Sequence, residues 1–155
     1  MTDDVDVLAL ENQVCFALAV ASRSVIALYR PVLEPLGLTH PQYLVMLALW
    51  QHTATSGEDG ISVKDLSVLL HLDPGTLSPL LKRLEAAGLV TRARSAVDER
   101  LLVVSVSEQG RALRRRAVAV PTTMLARLGM SEADLTATNA VLHRIIDAAH
   151  ESVTA

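Results

Sequence analysis

The sequence predicts a mainly α protein carrying one small β-hairpin, with two short helices ahead of the hairpin and longer helices at either end. Three observations predict it. Half of the 155 residues are apolar, yet the chain has one Trp, one Phe and two Tyr, so its core is Leu, Val and Ala, the material of packed helices. Apolar residues recur at threes and fours along most of the chain. In "LVTRARSAVDERLLVVSVS" the period changes, around the β-branched pair Val103 and Val104.

The length suits one domain, or one protomer of a compact oligomer. The single cysteine cannot form an intramolecular disulfide, and "MTDDVDVL" opens acidic rather than with the basic and apolar regions of a leader, so a cytoplasmic location is expected. Arg23, Arg30 and the prolines interrupt the longest apolar runs, so no membrane partner is expected.

In the first helix, from Leu8 to about Leu33, Val14, Leu18, Ala21, Val25 and Leu28 form one apolar stripe. Cys15, Ala19, Ser22, Ile26 and Tyr29 form a second beside it, so the helix is expected to bury two sides. Pro31 and "EPLGLT" end it, and Thr39 with Gln42 makes a capping box for a second helix, "PQYLVMLALWQ". After the polar loop "HTATSGEDG", Ile61 is read as a very short strand, and Ser62 with Asp65 starts the helix "VKDLSVLL". "HLD" is a tight turn into the next helix, capped by Asp73 with Pro74 in its first position. Leu77, Leu80, Leu81 and Leu84 face inward, and Gly88 takes the left-handed position at the end. Pro79 requires a late start or a kink. Two antiparallel strands follow around the turn "SAVDE". Ser107 restarts a helix that runs towards Pro121, and Ser131 with Asp134 opens the last one.

The net charge of -3 argues against a nucleic-acid partner, but its distribution reverses that argument. Between Lys82 and Arg116 nine basic residues face four acidic ones, a net +5 in an otherwise acidic chain. Two short helices joined by a tight turn, then a basic hairpin, make a winged helix-turn-helix, whose second helix enters the major groove of double-stranded DNA. At the start of that helix Thr76 and Ser78 offer small hydroxyls to bases or phosphates, and Lys82 and Arg83 follow a turn later. In the wing, Arg92, Arg94 and Arg100 supply cations for the backbone or minor groove, with Asp98 placed to orient Arg100. The DNA-binding region is residues 39–107, and residues 1–38 with 108–155 are the N- and C-terminal dimerisation helices.

"LDPGTLSPLLKRLEAAGLVTRARSAVDERLLVVSVSEQG" resembles the multiple antibiotic resistance regulators (MarR), homodimeric winged-helix repressors, including the Asp-x-Arg of the wing at Asp98 and Arg100. "LENQVCFAL", "YRPVLEPLGLTHPQYLVMLALW" and "GTLSPLLKRLE" are similar to the organic hydroperoxide resistance regulators (OhrR) within it, which sense peroxides through an N-terminal cysteine.

Cys15 and Tyr29 lie close to one line on the first helix but roughly 21 Å apart along it, too far to touch in one chain. In a two-fold dimer with these helices antiparallel, Tyr29 of one subunit meets Cys15 of the other, twice. A hydroxyl donating to sulfur favours the thiolate, the form that attacks a peroxide. The resemblance implies this contact: in the family, tyrosines of the other subunit hold the cysteine thiolate. Tyr29 matches one of them, whereas Ala19 and His40 stand where tyrosines are commonly found. Phe16, Met46 and Trp50 are candidates for an apolar pocket around the organic part of a hydroperoxide, and equally for plain core. No second cysteine is present to resolve the sulfenic acid, so oxidised Cys15 is expected to form a mixed disulfide with a low-molecular-weight thiol or to overoxidise.

The expected function is that of a repressor. The reduced homodimer binds an inverted-repeat operator, and an organic hydroperoxide, by oxidising Cys15, disturbs the helix packing that spaces the recognition helices. The alternative is a regulator released by a small phenolic or anionic ligand, with Cys15 structural. A thiol enzyme is disfavoured: His40, His52, His71, His143 and His150 are scattered, with neither a Cys-His-acid arrangement nor metal-ligand spacing, so no metal or other cofactor is expected. A pure interaction module would bind operator and random duplex alike.

Overall fold

The computed structural model describes residues 6–154. Two units are distinguished, Met1–Val118 and Ala119–Ala155.

In the first unit a 3-10 turn, Leu10–Asn12, leads into helix α1, Val14–Leu33. α1 thus starts later than the periodicity suggests, because Gln13 is extended and folds its side-chain amide back onto the carbonyls of Val7 and Ala9. Pro31 lies inside α1 rather than ending it, and a second 3-10 turn, Glu34–Leu36, closes at Gly37 with φ 68°. Leu33 is the only buried residue of α1, and Val14, Phe16 and Ile26 are exposed. The expectation that Arg23, Arg30 and the prolines break this run is corrected: Val14–Leu36 is long and apolar enough, by length and composition, to cross a membrane.

Helix α2, His40–Ser56, begins in the anticipated capping box: Thr39 Oγ1 accepts from the Gln42 amide, and Gln42 Oε1 accepts from the Thr39 amide at 2.9 Å. It is the core helix, burying Tyr43, Val45, Met46, Ala48, Leu49 and Trp50. Strand β1, Gly60–Ser62, then pairs antiparallel with a later strand, Ile61 opposite Val104.

Helix α3, Val63–Leu69, is capped by Ser62, and helix α4, Pro74–Ala86, by Asp73. α4 starts at Pro74 and continues through Pro79, so the late start is ruled out. Leu77, Leu81 and Leu84 are buried and Leu80 is half-buried. Gly88, at φ 73°, turns the chain into β2, Val90–Arg94, which pairs antiparallel with β3, Leu102–Val106. The sheet order is β1-β3-β2, so the wing hairpin is anchored by a third strand.

Helix α5, Glu108–Ala117, is capped by Ser107. Its Gly110 is required by a close approach, since a Cβ there would strike the Leu89 carbonyl. The second unit holds α6, Val120–Leu128, and α7, Glu132–Thr154. The sequence pattern carries a helix towards Pro121 and predicts no separate α6. Pro121 sits instead in the first turn of a new helix, where its missing N–H has no role. Ser131 and Asp134 bond reciprocally at the start of α7, as expected.

Candidate functional site

Two groups of residues carry chemistry in the first unit. The first is the helix-turn-helix and wing. The Asp73 carboxylate accepts from the Thr76 hydroxyl at 2.6 Å and from the Thr76 amide at 2.9 Å, which holds its pKa below the usual carboxylate range. Thr76 is therefore both part of the cap and exposed at the leading end of α4, its oxygen still able to accept. Ser78 is half-buried beside it, and Lys82 and Arg83 are exposed a turn further on.

In the wing, Asp98 does what its spacing suggested. Its carboxylate accepts from Arg100 Nε at 3.1 Å, from Arg100 Nη2 at 3.4 Å and from the Arg100 amide at 3.0 Å, and these bonds hold its carboxyl below the ordinary range. The Arg100 side chain remains 90% exposed, so the pair fixes the wing tip without hiding the cation. Arg94 braces the same loop, Nη1 donating to the Glu99 carbonyl at 3.3 Å.

Arg92 departs from the sequence reading. Its Nε and Nη2 both donate to Glu85 Oε2, at 3.0 and 2.6 Å, and its amide donates to Glu85 Oε1. The Arg92 side chain is only 19% exposed, so it ties β2 to α4 instead of standing free for phosphate. Glu85 was missed as its partner. The signal available was an acid seven residues ahead of an arginine across the turn at Gly88, a spacing that neither helical nor strand periodicity singles out.

The second group surrounds α1. Cys15 is exposed on it. Tyr29, one turn before the end of α1 at Leu33, is half-buried against the start of α2, with its ring centroid 5.0 Å from that of His40 and 5.8 Å from that of Tyr43. Burial raises the Tyr29 pKa and lowers that of His40, and burial together with the neighbouring Tyr29 pushes Tyr43 up to about 12. Tyr43 went unnoticed in the sequence, although it lies three residues after His40 and so on the same face of α2. A cavity of about 530 Å³ opens beside the cluster, lined among others by Ile26, Arg30, Glu34, Thr39 and His40. Arg116 of α5 donates to the Pro35 carbonyl at 2.6 Å, which pins the corner between α1 and α2.

Phe16, Met46 and Trp50 do not assemble into a pocket. Phe16 is on the exposed face of α1, whereas Met46 and Trp50 are core, with Trp50 Nε1 donating to the Gly110 carbonyl at 3.0 Å. Among the described residues no group of three His, Cys, Asp or Glu side chains is arranged to hold a metal ion.

A family model described as transcriptional regulator SarA/Rot matches residues 27–116. The chain is 40% identical over 151 residues to an organic hydroperoxide resistance transcriptional regulator of Bacillus subtilis, covering 97% of this chain and 99% of the relative. The chain belongs to the MarR family of winged-helix transcriptional regulators, in its organic hydroperoxide resistance branch. Among MarR-type solved structures it is similar to AbfR of Staphylococcus epidermidis, solved reduced and bound to DNA (TM-score 0.78, 28% identity, 93% of this chain and 94% of the other). AbfR has also been solved overoxidised on DNA (TM-score 0.71, 28% identity, 89% and 93%). A third likeness is to CouR of Rhodococcus jostii RHA1 bound to p-coumaroyl-CoA (TM-score 0.73, 25% identity, 89% and 94%). This MarR-family protein is thus a DNA-binding transcriptional regulator, not an enzyme.

Proposed function

We propose that this regulator is a cytoplasmic one-cysteine peroxide sensor: a reduced homodimer that represses from an inverted-repeat operator and lets go when an organic hydroperoxide oxidises Cys15. Within this reading, Thr76, Ser78, Lys82 and Arg83 of α4 face the major groove, and Arg94 with the Asp98-oriented Arg100 follows the adjacent backbone or minor groove. Arg92 acts at one remove, holding the wing to the recognition helix through Glu85.

The observation that carries the reading is α1 itself. Nineteen of its twenty residues are not buried, two apolar stripes run along it, and the only cysteine of the chain sits on one of them. A face of that kind is covered by a second helix of the same sort. In an antiparallel two-fold pairing that brings Cys15 to the partner's Tyr29, the axis passes at Ser22 and Ile26 meets the partner's position 18, itself a leucine. The thiolate attacks the hydroperoxide, the O–O bond breaks, and Cys15 becomes a sulfenic acid as the alcohol leaves. A small thiol then condenses with the sulfenic acid, forming a mixed disulfide and water. We assign release to that bulky adduct. The two or three oxygens of an overoxidised cysteine are a smaller disturbance, and the similar AbfR has been solved overoxidised on DNA.

A second reading has its own observation in favour. The 530 Å³ cavity with Arg30 at its edge would suit a small phenolic or anionic ligand, and the similar CouR has been solved with p-coumaroyl-CoA. The test is a gel shift on the DNA upstream of the chain's own gene, with and without cumene hydroperoxide and a small thiol, followed by intact mass. Release that coincides with the mass of a mixed disulfide supports the sensor. Release by a ligand under fully reducing conditions, with Cys15 unmodified, supports the second reading instead.

A further inference from the structure

We propose that His71, in the turn between α3 and α4, donates a hydrogen bond to a phosphate of the DNA backbone at the edge of the groove that α4 enters. The inference rests on the reading of α4 as the recognition helix and is independent of Cys15 and its oxidation.

The first observation is a backbone that glycine would serve better. His71 has φ 52°, and among the described residues it is the only non-glycine in the left-handed region. Two bonds close α3 there: the His71 amide donates to the Val68 carbonyl at 3.1 Å, and the Leu72 amide donates to the Ser67 carbonyl at 3.0 Å. The same pair of bonds closes the turns at Gly37, Gly88 and Gly129, and in all three the left-handed residue is glycine. Both bonds are made by the backbone alone, so the turn at residue 71 needs no side chain. A Cβ in this conformation crowds the following carbonyl, so the histidine is kept against a conformational cost. It does not offset that cost by filling the core, because His71 is exposed. A strained residue that the fold does not require points to a role towards something the fold meets.

The second observation is where it stands and what surrounds it. His71 lies two residues before Asp73, which caps α4 through Thr76. In a helix-turn-helix the first helix crosses the sugar-phosphate backbone and the start of the second meets base edges, so the turn between them comes down beside the phosphates. Residues 65–81, which include that turn, most of α3 and the first half of α4, contain neither Lys nor Arg. Within the turn Leu72 is apolar, and the Asp73 carboxylate only accepts. His71 is the one side chain there that can donate to a phosphate oxygen, and an imidazole keeps an N–H for this whether neutral or charged. Such a contact carries no sequence information. It adds affinity for any duplex and fixes how deeply the start of α4 sits in the groove.

The experiment compares the full-length reduced protein with His71→Gly and His71→Asn, by melting temperature and by gel shift on the DNA upstream of the chain's own gene and on a random duplex. Asn is accommodated in the left-handed region and carries a shorter side chain, so it separates loss of the imidazole from any loosening by glycine. His71→Gly should melt about 2–4 °C higher, because the left-handed residue is relieved. Both variants should nevertheless bind roughly tenfold more weakly, to operator and random duplex alike, as one phosphate contact is lost from each half-site. Unchanged binding in both variants would overturn the contact. A lower melting temperature in His71→Gly would overturn it too, by making the histidine a brace for the turn, and a loss confined to the operator would replace the phosphate with a base edge. Lys82→Ala is the reference for the reading beneath: if it also binds both duplexes unchanged, α4 is not in the groove and the inference falls with that reading.

Discussion

α1 and α2 are neighbours of similar length and apolar content, and they are used in opposite ways. α2 buries six of its seventeen residues inside the chain, and α1 buries one of twenty. The difference separates residues chosen by the fold from residues chosen by something the fold meets. Met46 and Trp50 are fixed by the interior they fill. Cys15, Ile26 and the exposed side of Tyr29 have no such interior, which is why the proposed dimer and its chemistry are assigned to α1.

The largest expected effect is at a residue that, like those of α2, is buried within the chain. Leu77→Ala, at a fully buried site of the recognition helix, should cost about 2–5 kcal/mol of stability in urea unfolding. A loss well below that would show that the winged region is not the core. On the α1 side, Ile26→Asp should leave helical content in place but convert the proposed dimer to monomer, and weaken operator binding by roughly a hundredfold as two linked half-sites become one. Sedimentation and a gel shift check both. A dimer that survives this substitution would move the interface off α1.

The wing sharpens the same comparison at smaller scale, between arginines that stand free and one that is tied down. Replacing Lys82 or Arg100 with Ala should lower the slope of log affinity against log salt by about 1 each. Arg92→Ala should instead lower the melting temperature and leave that slope nearly unchanged, because its guanidinium is held by Glu85. The smallest effect is a pH dependence. Arg92 depresses the Glu85 pKa, so the pair's contribution is complete above the ordinary Glu value near 4.3 and is lost as pH falls through the depressed one. The difference in melting temperature between wild type and Arg92→Ala should therefore shrink on acidification below about pH 4.

Much of the winged region was legible because its signals are local. The Thr39–Gln42 box, the Ser62 and Asp73 caps and the left-handed Gly88 each concern a few consecutive residues, and each stands where the sequence placed it. The Asp98–Arg100 pair was legible for the same reason, two residues apart in a turn. Features that depend on distant residues were not. The third strand's pairing joins Ile61 to Val104, the Arg116 bond spans 81 residues to Pro35, and Pro121 reads as a stop until a new helix is seen to start there. At α1 the periodicity showed a surface wider than one partner needs. It could not show that Tyr29 shares its place with His40 and Tyr43, because that cluster joins two helices across a turn.

The central claim is that Cys15 is a trigger and not packing material. It is tested most directly by comparing wild type with Cys15→Ser on the same operator, titrating cumene hydroperoxide in the presence of a small thiol. Both reduced proteins should bind with equal affinity, since serine is close to cysteine in size and Cys15 fills no core within its own chain. Wild type should then be released as its mixed disulfide forms, while Cys15→Ser stays bound. Release of Cys15→Ser at the same peroxide concentration would contradict the account.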